Sequence, residues 1–530
     1  MKRKILVALI ALLVVFLSVI AYWQMKPKKE PDIISLDTNG DNLTDYQISF
    51  RGPSSLVWES LPENNKKYKF VTEDIYTYQI TDNGKDAGKI ILTLRQIEKK
   101  DVMYFLKYEP GLPVENLRVV ITAVNEVARG GRNGRIQIKG RQLLYGKTIT
   151  NTNSFWGIFD IYRTFGENLP LNAVFLDSPT HHVRLGLVDV YKPLKNMVRE
   201  EHFEKSMPIV VSRVNENLNY IIPLPKEKGY FVENWGILGN SPLVDWQNPS
   251  AVNDARVGDL VRYRKLSTDG IYYLTPWNYY PTEKTAFWLN PASTYHVAGL
   301  FSKQDGGSYF RDIAISSMYS VIETQTKDFY WVSSPRSDWL YQDYGIPEGF
   351  YDTRFNTDVA LYLLNMYEKT GEKMALESSS NYAEFLRKYV VEQGIATAGG
   401  GMLVPDYFKQ GTGHKKTNVS LNHLVAEMNF LLKLYTVDKD FNNLKVANLI
   451  RQAVRDTGRS WIRPDGNLHY AYLGSGKFGM EDYPLITLND LRVAQKLIQQ
   501  TSENGKPDEI FQMLINAKEA FLRKNNMPIK

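Results

Sequence analysis

The densest run of groups able to move a proton or hold a charged ligand lies at 461–491. It carries Trp461, Asp465, His469, Tyr470, Tyr472, Lys477, Asp482, Tyr483, Asn489 and Asp490, interrupted by Gly474, Gly476 and Gly479. Tyrosine acts as an acid or a base when its surroundings bring its pKa, ordinarily about 10, into range. Tyr470, Tyr472 and Tyr483 are therefore candidate acid/base groups, with His469 as a substitute. The chemistry such a set suits is removal of a proton α to a carboxylate, as at C5 of a hexuronate. That carbon acid is very weak, so the carboxylate must be neutralised or hydrogen-bonded while the charge develops. Arg354, Arg336 and Lys477 supply candidate cations, and Asn422 or Asn489 could orient the carboxylate. Glu427, Asp482 and Tyr351 complete the candidate substrate-binding set. The plainer reading is that the glycines make a flexible turn and the tyrosines pack at its rim.

Aromatic residues are abundant: 33 Tyr, 23 Phe and 10 Trp. Tyr and Trp present an apolar face that stacks on a sugar ring and a polar tip that reaches its hydroxyls. Tyr341, Tyr344, Phe350 and Tyr351 alternate with Asp338, Asp343, Glu348, Asp352 and Arg354, a pattern that resembles a sugar-cleft loop. Asp343, Glu348 and Asp352 could also pair as glycosidase carboxylates, although sequence spacing does not test the separation that chemistry requires. There is no phosphate loop, no dinucleotide fingerprint and no serine nucleophile elbow. The chain has no cysteine, which excludes disulfides, thiolate zinc sites and a catalytic thiol. No cofactor is expected for catalysis.

Two further clusters carry charge. Asp37, Asn39, Asp41 and Asp45 place oxygens at positions 1, 3, 5 and 9 of an Asp/Asn-rich loop, which fits a structural calcium ion. Asn42 stands where such loops carry glycine, Ile48 stands where an EF-hand carries its bidentate glutamate, and a solvated turn is the alternative. The segment 129–135, with Lys139 and Arg141, reads as a basic hairpin able to grip an acidic polysaccharide, or as a solvated tip.

The elements that must position these groups fall into two kinds. From 33 to 230, about ten short alternating runs recur between turn signals such as Asn83-Gly84, Gly130-Gly131 and Asn133-Gly134, which predicts a β-sandwich or barrel. Residues 231–290 form a Trp/Tyr/Pro-rich bridge. From about 290 the period becomes helical. Helices are expected at 308–327, 356–371, 379–393, 419–436, 441–457, 486–501 and 506–525, with Asn356-Thr357-Asp358 as capping residues and Gly371 and Gly394 as stops. Sequential helical hairpins suggest an α/α toroid or a bundle. On a wheel of 419–436, Leu421, Leu424, Val425, Met428, Leu431, Leu432 and Tyr435 share one face. His423 and Glu427 lie opposite at i,i+4, with Phe430 on the same side. A second, mixed face of that kind belongs on the inner ring of a toroid around a polar cleft.

The ends of the chain differ in charge. Lys+Arg is 64 and Asp+Glu is 58, but six cations and no acid fall within 1–29, so the remainder carries 58 of each. That balance disfavours nucleic acid as a partner. Residues 5–23 are apolar except Ser18, follow Lys2, Arg3 and Lys4, and end in Tyr22-Trp23. They read as a transmembrane signal anchor in a lipid bilayer, with a cleaved signal peptide as the alternative. The body is then expected outside the cell membrane. The expected organisation is a membrane anchor at 1–30, a β-rich domain at 31–230, an aromatic bridging segment at 231–290 and an α/α toroid at 291–530.

The segment Gly479-Met480-Glu481-Asp482-Tyr483, followed by Asn489 and Leu491, resembles the Asp-Tyr…Asn-x-Leu segment of the D-glucuronyl C5-epimerase C-terminal domain family. Leu468–Tyr472 leads into it as a strand-like segment does there. The likeness covers about 336–500. It implies a membrane anchor, a β-rich part and an α/α domain in that order, and C5 epimerisation of a uronate-containing polysaccharide. Met480-Glu481 stand where the family has Arg-Trp, and Pro484 stands where it has His. Three functions follow as expectations: a glucuronyl C5-epimerase-like isomerase, a non-catalytic glycan-binding or cell-envelope organising protein, and a polysaccharide lyase.

Overall fold

The computed structural model describes residues 31–529 apart from 32, 63, 125–138, 145–154, 161–167, 170, 172, 178–179, 216, 259–264, 277, 281–285, 291–299, 301–305 and 504. The described chain is mixed β and helical. It divides into two compact units, the described residues up to 192 with 202–243, and those of 193–201 with 244 onwards.

The expectation of a fold that includes a membrane-spanning helix is corrected. Among the described residues no helix is long and apolar enough to cross a membrane. The longest, Lys373–Gln393, has the length but carries Lys373, Glu377, Glu384, Arg387, Lys388 and Glu392, and charges at such density do not enter hydrocarbon. Residues 5–23, the expected anchor, and the basic run 129–135 lie outside the described residues, as do the turns at 130–131 and 133–134.

The first unit is a β-sandwich. One sheet has five strands in the order 34–36, 46–51, 118–123, 217–223 and 210–214. The other runs from 155–160 through 139–144, 174–177, 182–185, 231–239, 102–110 and 85–97 to 71–82, whose far side takes both 56–60 and 64–67. Strand 217–223 buries every second residue, because successive side chains point to opposite faces of a pleated strand. Its inward Tyr220 and Ile222 join Ile48, Phe50 and Ile121 from the same sheet and Leu92, Leu106, Val183 and Leu238 from the other in one core. The 71–82/85–97 ribbon turns at Asn83-Gly84, with φ of 51° and 77°. Two successive positive φ values suit the two-residue turn that matches strand twist, and Asn-Gly tolerates them.

The second unit contains the strands 198–201, 286–289, 270–274 and 265–267, paired in that order, and nine α-helices among the described residues. They are α1 (Pro249–Val257), α2 (Ser308–Thr324), α3 (Asp338–Tyr344), α4 (Thr353–Thr370), α5 (Lys373–Gln393), α6 (Leu421–Asp438), α7 (Phe441–Thr457), α8 (Ile486–Thr501) and α9 (Glu509–Lys524). Helices α4, α6 and α8 are neighbours, and each packs on the helix that follows it, so that α5, α7 and α9 form a second layer. This two-layered arc of hairpins is the arrangement from which an α/α toroid is built. The outer helices are amphipathic: α7 buries Val446, Ala447, Ile450, Ala453 and Val454 on one side. Helix α6 is different. From Leu421 to Leu432 every residue is buried, as expected for a helix with neighbours all round. Among the described residues, short strands in the connecting loops make four small sheets: 279–280 with 336–337; 332–333, 350–352 and 407–408; 395–396 with 402–403; and 419–420, 469–474 and 477–481. Two of them end at the N-termini of α4 and α6, and there the chemistry gathers.

Candidate functional site

Asp352 ends the strand 350–352 and caps α4, its Oδ1 accepting the Phe355 N–H at 3.0 Å. An aspartate at this position satisfies a donor that the helix leaves free. Asp406 does the same work for α6 from a distance. Its Oδ1 accepts the Ser420 N–H at 2.7 Å, and its Oδ2 accepts the Ser420 hydroxyl and the Asn418 side-chain amide. Both carboxyls are buried, and burial disfavours their charged forms. It pushes Asp352 up to about 7 and Asp406 up to about 8, the neighbouring acid adding to the shift of Asp406.

One and two turns into α6 lie His423 and Glu427. His423 Nδ1 is 2.9 Å from the Thr353 hydroxyl and 3.8 Å from Asp406 Oδ1. Burial, and then the Arg354 charge, hold the imidazole well below its usual pKa, so it is neutral. Glu427 is fully buried and neither carboxyl oxygen has a hydrogen bond of good geometry. Burial and the nearby Asp406 and Asp352 raise it well above the carboxylate range, against the Thr353 hydroxyl. The cluster is thus three acids whose pKa values are raised well above the usual carboxylate range, beside a neutral imidazole.

Tyrosines connect this cluster to the surface. The Tyr470 hydroxyl lies within electrostatic reach of Asp406, which the Ser420 hydroxyl hydrogen-bonds. The Tyr470 ring meets the half-exposed Tyr483 edge to face, with centroids 5.6 Å apart. Tyr407 lies against Trp339 and His423, at 5.7 and 5.9 Å. Tyr279, on the ribbon 279–280/336–337, packs on Trp288 and lies within electrostatic reach of Asp352 and Tyr483. Burial raises the pKa of Tyr279, Tyr407 and Tyr470, so all three keep their protons. On the same ribbon, Arg336 is flanked by Tyr280 and Tyr341, 4.9 Å from each ring centroid. Both rings are half-exposed. Arg336 donates to Asp338 at 2.9 Å, while its Nε has no partner.

The structure brings some of the sequence-derived candidates together and parts others from them. Tyr470, Tyr483, Asn422, Glu427 and Tyr351 lie in or against the cluster. Tyr351 is buried with its hydroxyl 2.9 Å from that of Tyr382, and the Asn422 Oδ1 is buried and unpaired. Arg354 is close but occupied: it bonds both oxygens of Asp358, Asp490 at 2.6 Å and the Asn422 carbonyl. It positions helices instead of facing a ligand. Tyr472 packs on Phe478, and its hydroxyl accepts the Gly476 N–H, closing the 469–481 hairpin. His469 lies beside Phe478 in that hairpin with its Nδ1 buried and unpaired. Lys477 and Asn489 are exposed. Asp482 is ion-paired to Lys518 at 2.8 Å and accepts from Thr487, which ties α8 to α9. Asp343 and Glu348 are exposed while Asp352 is buried.

In the other unit, the 37–45 loop directs its side chains at its own backbone. Asp37 accepts the N–H groups of Asn39, Gly40 and Asn42, Asn39 accepts Asp41, Asp41 accepts Leu43, and Asp45 accepts the N–H and hydroxyl of Thr38. Among the described residues no group of three or more His, Cys, Asp or Glu is arranged to hold a metal ion.

Sequence reasoning did not single out Asp406, Tyr407 or Tyr279. Asp406 acts through Ser420, fourteen residues on, and no local pattern marks a cap supplied across such a loop.

No family model matches the chain, and no curated protein matches it in sequence. Solved structures do match. One is a D-mannose isomerase, 14% identical with a TM-score of 0.34, covering 44% of this chain and 61% of that one. Another is a family 76 glycoside hydrolase (mannosidase) from Bacteroides thetaiotaomicron VPI-5482, 13% identical with a TM-score of 0.37, covering 52% of this chain and 70% of that one. A third is a sugar epimerase from a ruminal bacterium, 14% identical with a TM-score of 0.32, covering 44% and 59%. The match spans less than two thirds of the isomerase and of the epimerase. All three are named for acting on sugars, but at these TM-scores the likeness assigns neither a fold family nor an activity.

Proposed function

We propose that the helical unit binds a carbohydrate against Tyr470 and Tyr483 and exchanges a proton with it. The observation that carries this reading is the buried Asp406, held by the Ser420 hydroxyl, with Tyr470 within electrostatic reach of it and Tyr483 packed on Tyr470 at the surface. An acid held up to about 8 retains a proton at neutral pH and can return it, which is the property a relay needs. The finer reading is C5 epimerisation of a uronate. The C5–H bond breaks and its electron pair passes into the sugar carboxylate. The Tyr483 oxygen, as phenolate, takes that proton, and Tyr470 delivers its own proton to the opposite face of the carbon; Tyr483 then returns its proton to solvent while Tyr470 recovers one by way of Ser420 and Asp406. Arg336, with an unpaired Nε between two half-exposed rings, is the cation offered to the carboxylate, in the role that Arg354 is not free to take.

A second reading is a glycan-binding protein without turnover. It is favoured by the capping bonds that already engage Asp352 and Asp406. Incubation with a glucuronate-containing polysaccharide in deuterium oxide separates the two. The enzyme reading expects deuterium at C5 with no unsaturated product, and loss of that exchange in Tyr470→Phe. Unsaturated product would indicate a lyase. Saturable binding with neither signal would leave the binding protein and end the proton-exchange proposal.

A further inference from the structure

The sheet made by 332–333, 350–352 and 407–408 has a second face. Tyr407, paired with Asp352, lies towards the acids; Phe408, paired with Tyr351, lies away from them. On that other side is a cleft of about 460 Å³, within the range of small-ligand sites. Its aromatic lining is Phe329, Phe385, Tyr389 and Phe408. The Phe385 and Tyr389 rings are nearly parallel, 9° apart with centroids at 6.1 Å, and Tyr351 packs beneath both.

Phe329 enters this cleft with φ of +68°, a conformation that costs a bulky residue free energy. The turn that holds it is over-determined. Thr326 exchanges backbone bonds with Phe329 and Tyr330, its hydroxyl donates to the Tyr330 carbonyl, and Gln325 bonds both the Phe329 carbonyl and Ser378. Backbone strain retained in this way occurs where a side chain must be placed for binding.

The polar rim decides the ligand class. Lys327 and Lys388 stand with Asp328, Glu384 and Glu392, and Gln393 and Gln410 offer both donors and acceptors. A strongly charged ligand would be repelled by half of that rim. A polyhydroxy ligand uses both kinds of partner while its C–H face stacks on the rings. We infer that this cleft is a second carbohydrate subsite, for neutral sugar residues, backing onto the acid cluster across one small sheet. This goes beyond the proton-exchange reading and does not depend on it.

The test is titration calorimetry of the full chain with three neutral probes: cellohexaose, mannohexaose and chitohexaose. At least one is expected to bind, with at least tenfold weaker binding in Phe408→Ala and in Phe385→Ala and unchanged binding in Tyr470→Phe. Because Phe385 packs on its neighbours, Gln410→Ala and Glu384→Ala, both exposed, serve as variants that leave the core intact; each is expected to weaken binding by threefold or more. No binding of any of the three probes, or binding indifferent to Phe408→Ala, Gln410→Ala and Glu384→Ala, would overturn the assignment. So would binding that Tyr470→Phe abolishes, which would place the sugar at the acid cluster instead. Loss of deuterium exchange at C5 with neutral-probe binding intact would count against the proton-exchange reading alone.

Discussion

Arg354 and Asp490 join α4 to α8 through a 2.6 Å ion pair, and the same guanidinium holds both oxygens of Asp358 within α4. All three side chains are largely buried. Burial works against the charge of Arg354, but its two carboxylates more than offset this and hold it protonated. Removing the cation leaves two buried acids facing each other without a partner. Arg354→Met should therefore destabilise the chain by about 3–5 kcal/mol, the usual result of breaking a buried pair from one side. Urea unfolding followed by far-ultraviolet circular dichroism checks this. An effect under about 1 kcal/mol would show that Arg354 does not hold these helices.

Lys518 and Asp482 form a second buried pair, with Lys518 also donating to Asn467 at 2.7 Å. Lys518→Met is expected to cost about 3–5 kcal/mol on the same grounds. The double variant Lys518→Met with Asp482→Leu should recover most of that loss, since neither charge is then stranded. If Asp482→Asn lowers turnover with no change in unfolding midpoint, the anchoring role given to Asp482 is wrong.

Stability should fall as pH rises from about 4 to about 8. Asp406, Asp352 and Asp490 are raised from 3.8 to about 8, 7 and 6, in each case first by burial. Across that window the folded chain keeps protons that the unfolded chain has released. Their contribution is complete below the unfolded pKa and is lost as pH climbs through the folded value. Asp406→Asn cannot release that proton, so it should flatten the slope near pH 7–8. Denaturant midpoints measured across the window give the comparison, and a slope unchanged by Asp406→Asn would contradict the shift.

Arg336 lies at the surface end of the site, so its removal should spare the fold. Arg336→Ala is expected to weaken binding of a glucuronate-containing oligosaccharide by tenfold or more at low salt, with a melting temperature within about 2 °C of the parent, as for surface substitutions generally. Arg336→Lys should restore the charge but only part of the affinity, because the planar fork that pairs with a carboxylate is gone. Equal binding by all three chains would remove Arg336 from the site.

Periodicity made the long helices legible. The helices expected at 441–457 and 486–501 occur with those bounds, because their apolar residues recur at helical spacing and define a single buried side. Helix 353–370 begins three residues before its expected start, since the cap is Asp352 and not the Asn356-Thr357-Asp358 run. Helix α6 lies within two residues of its expected bounds, and His423 and Glu427 mark its mixed second face. The face is fully buried, with Phe430 inside as well. The wheel could separate two faces but could not say that both were covered, because that depends on α4 and α8, remote in sequence. Helix α3 and the strands of two or three residues at 332–333, 350–352 and 407–408 were not legible at all. Elements that short are made by tertiary contacts, and they carry most of the site.

The pairing of 407–408 with 351–352 sets a rule for how this chain can vary in length. One residue added or lost between Pro405 and Phe408 would exchange the two sides, turning Phe408 towards His423 and Tyr407 towards Tyr389, since side-chain direction in a strand has a period of two. The run 410–416, open to solvent at Gln410–Gly413, carries no such parity. Descendants of this sequence should grow and shrink there, while the four residues before it keep count.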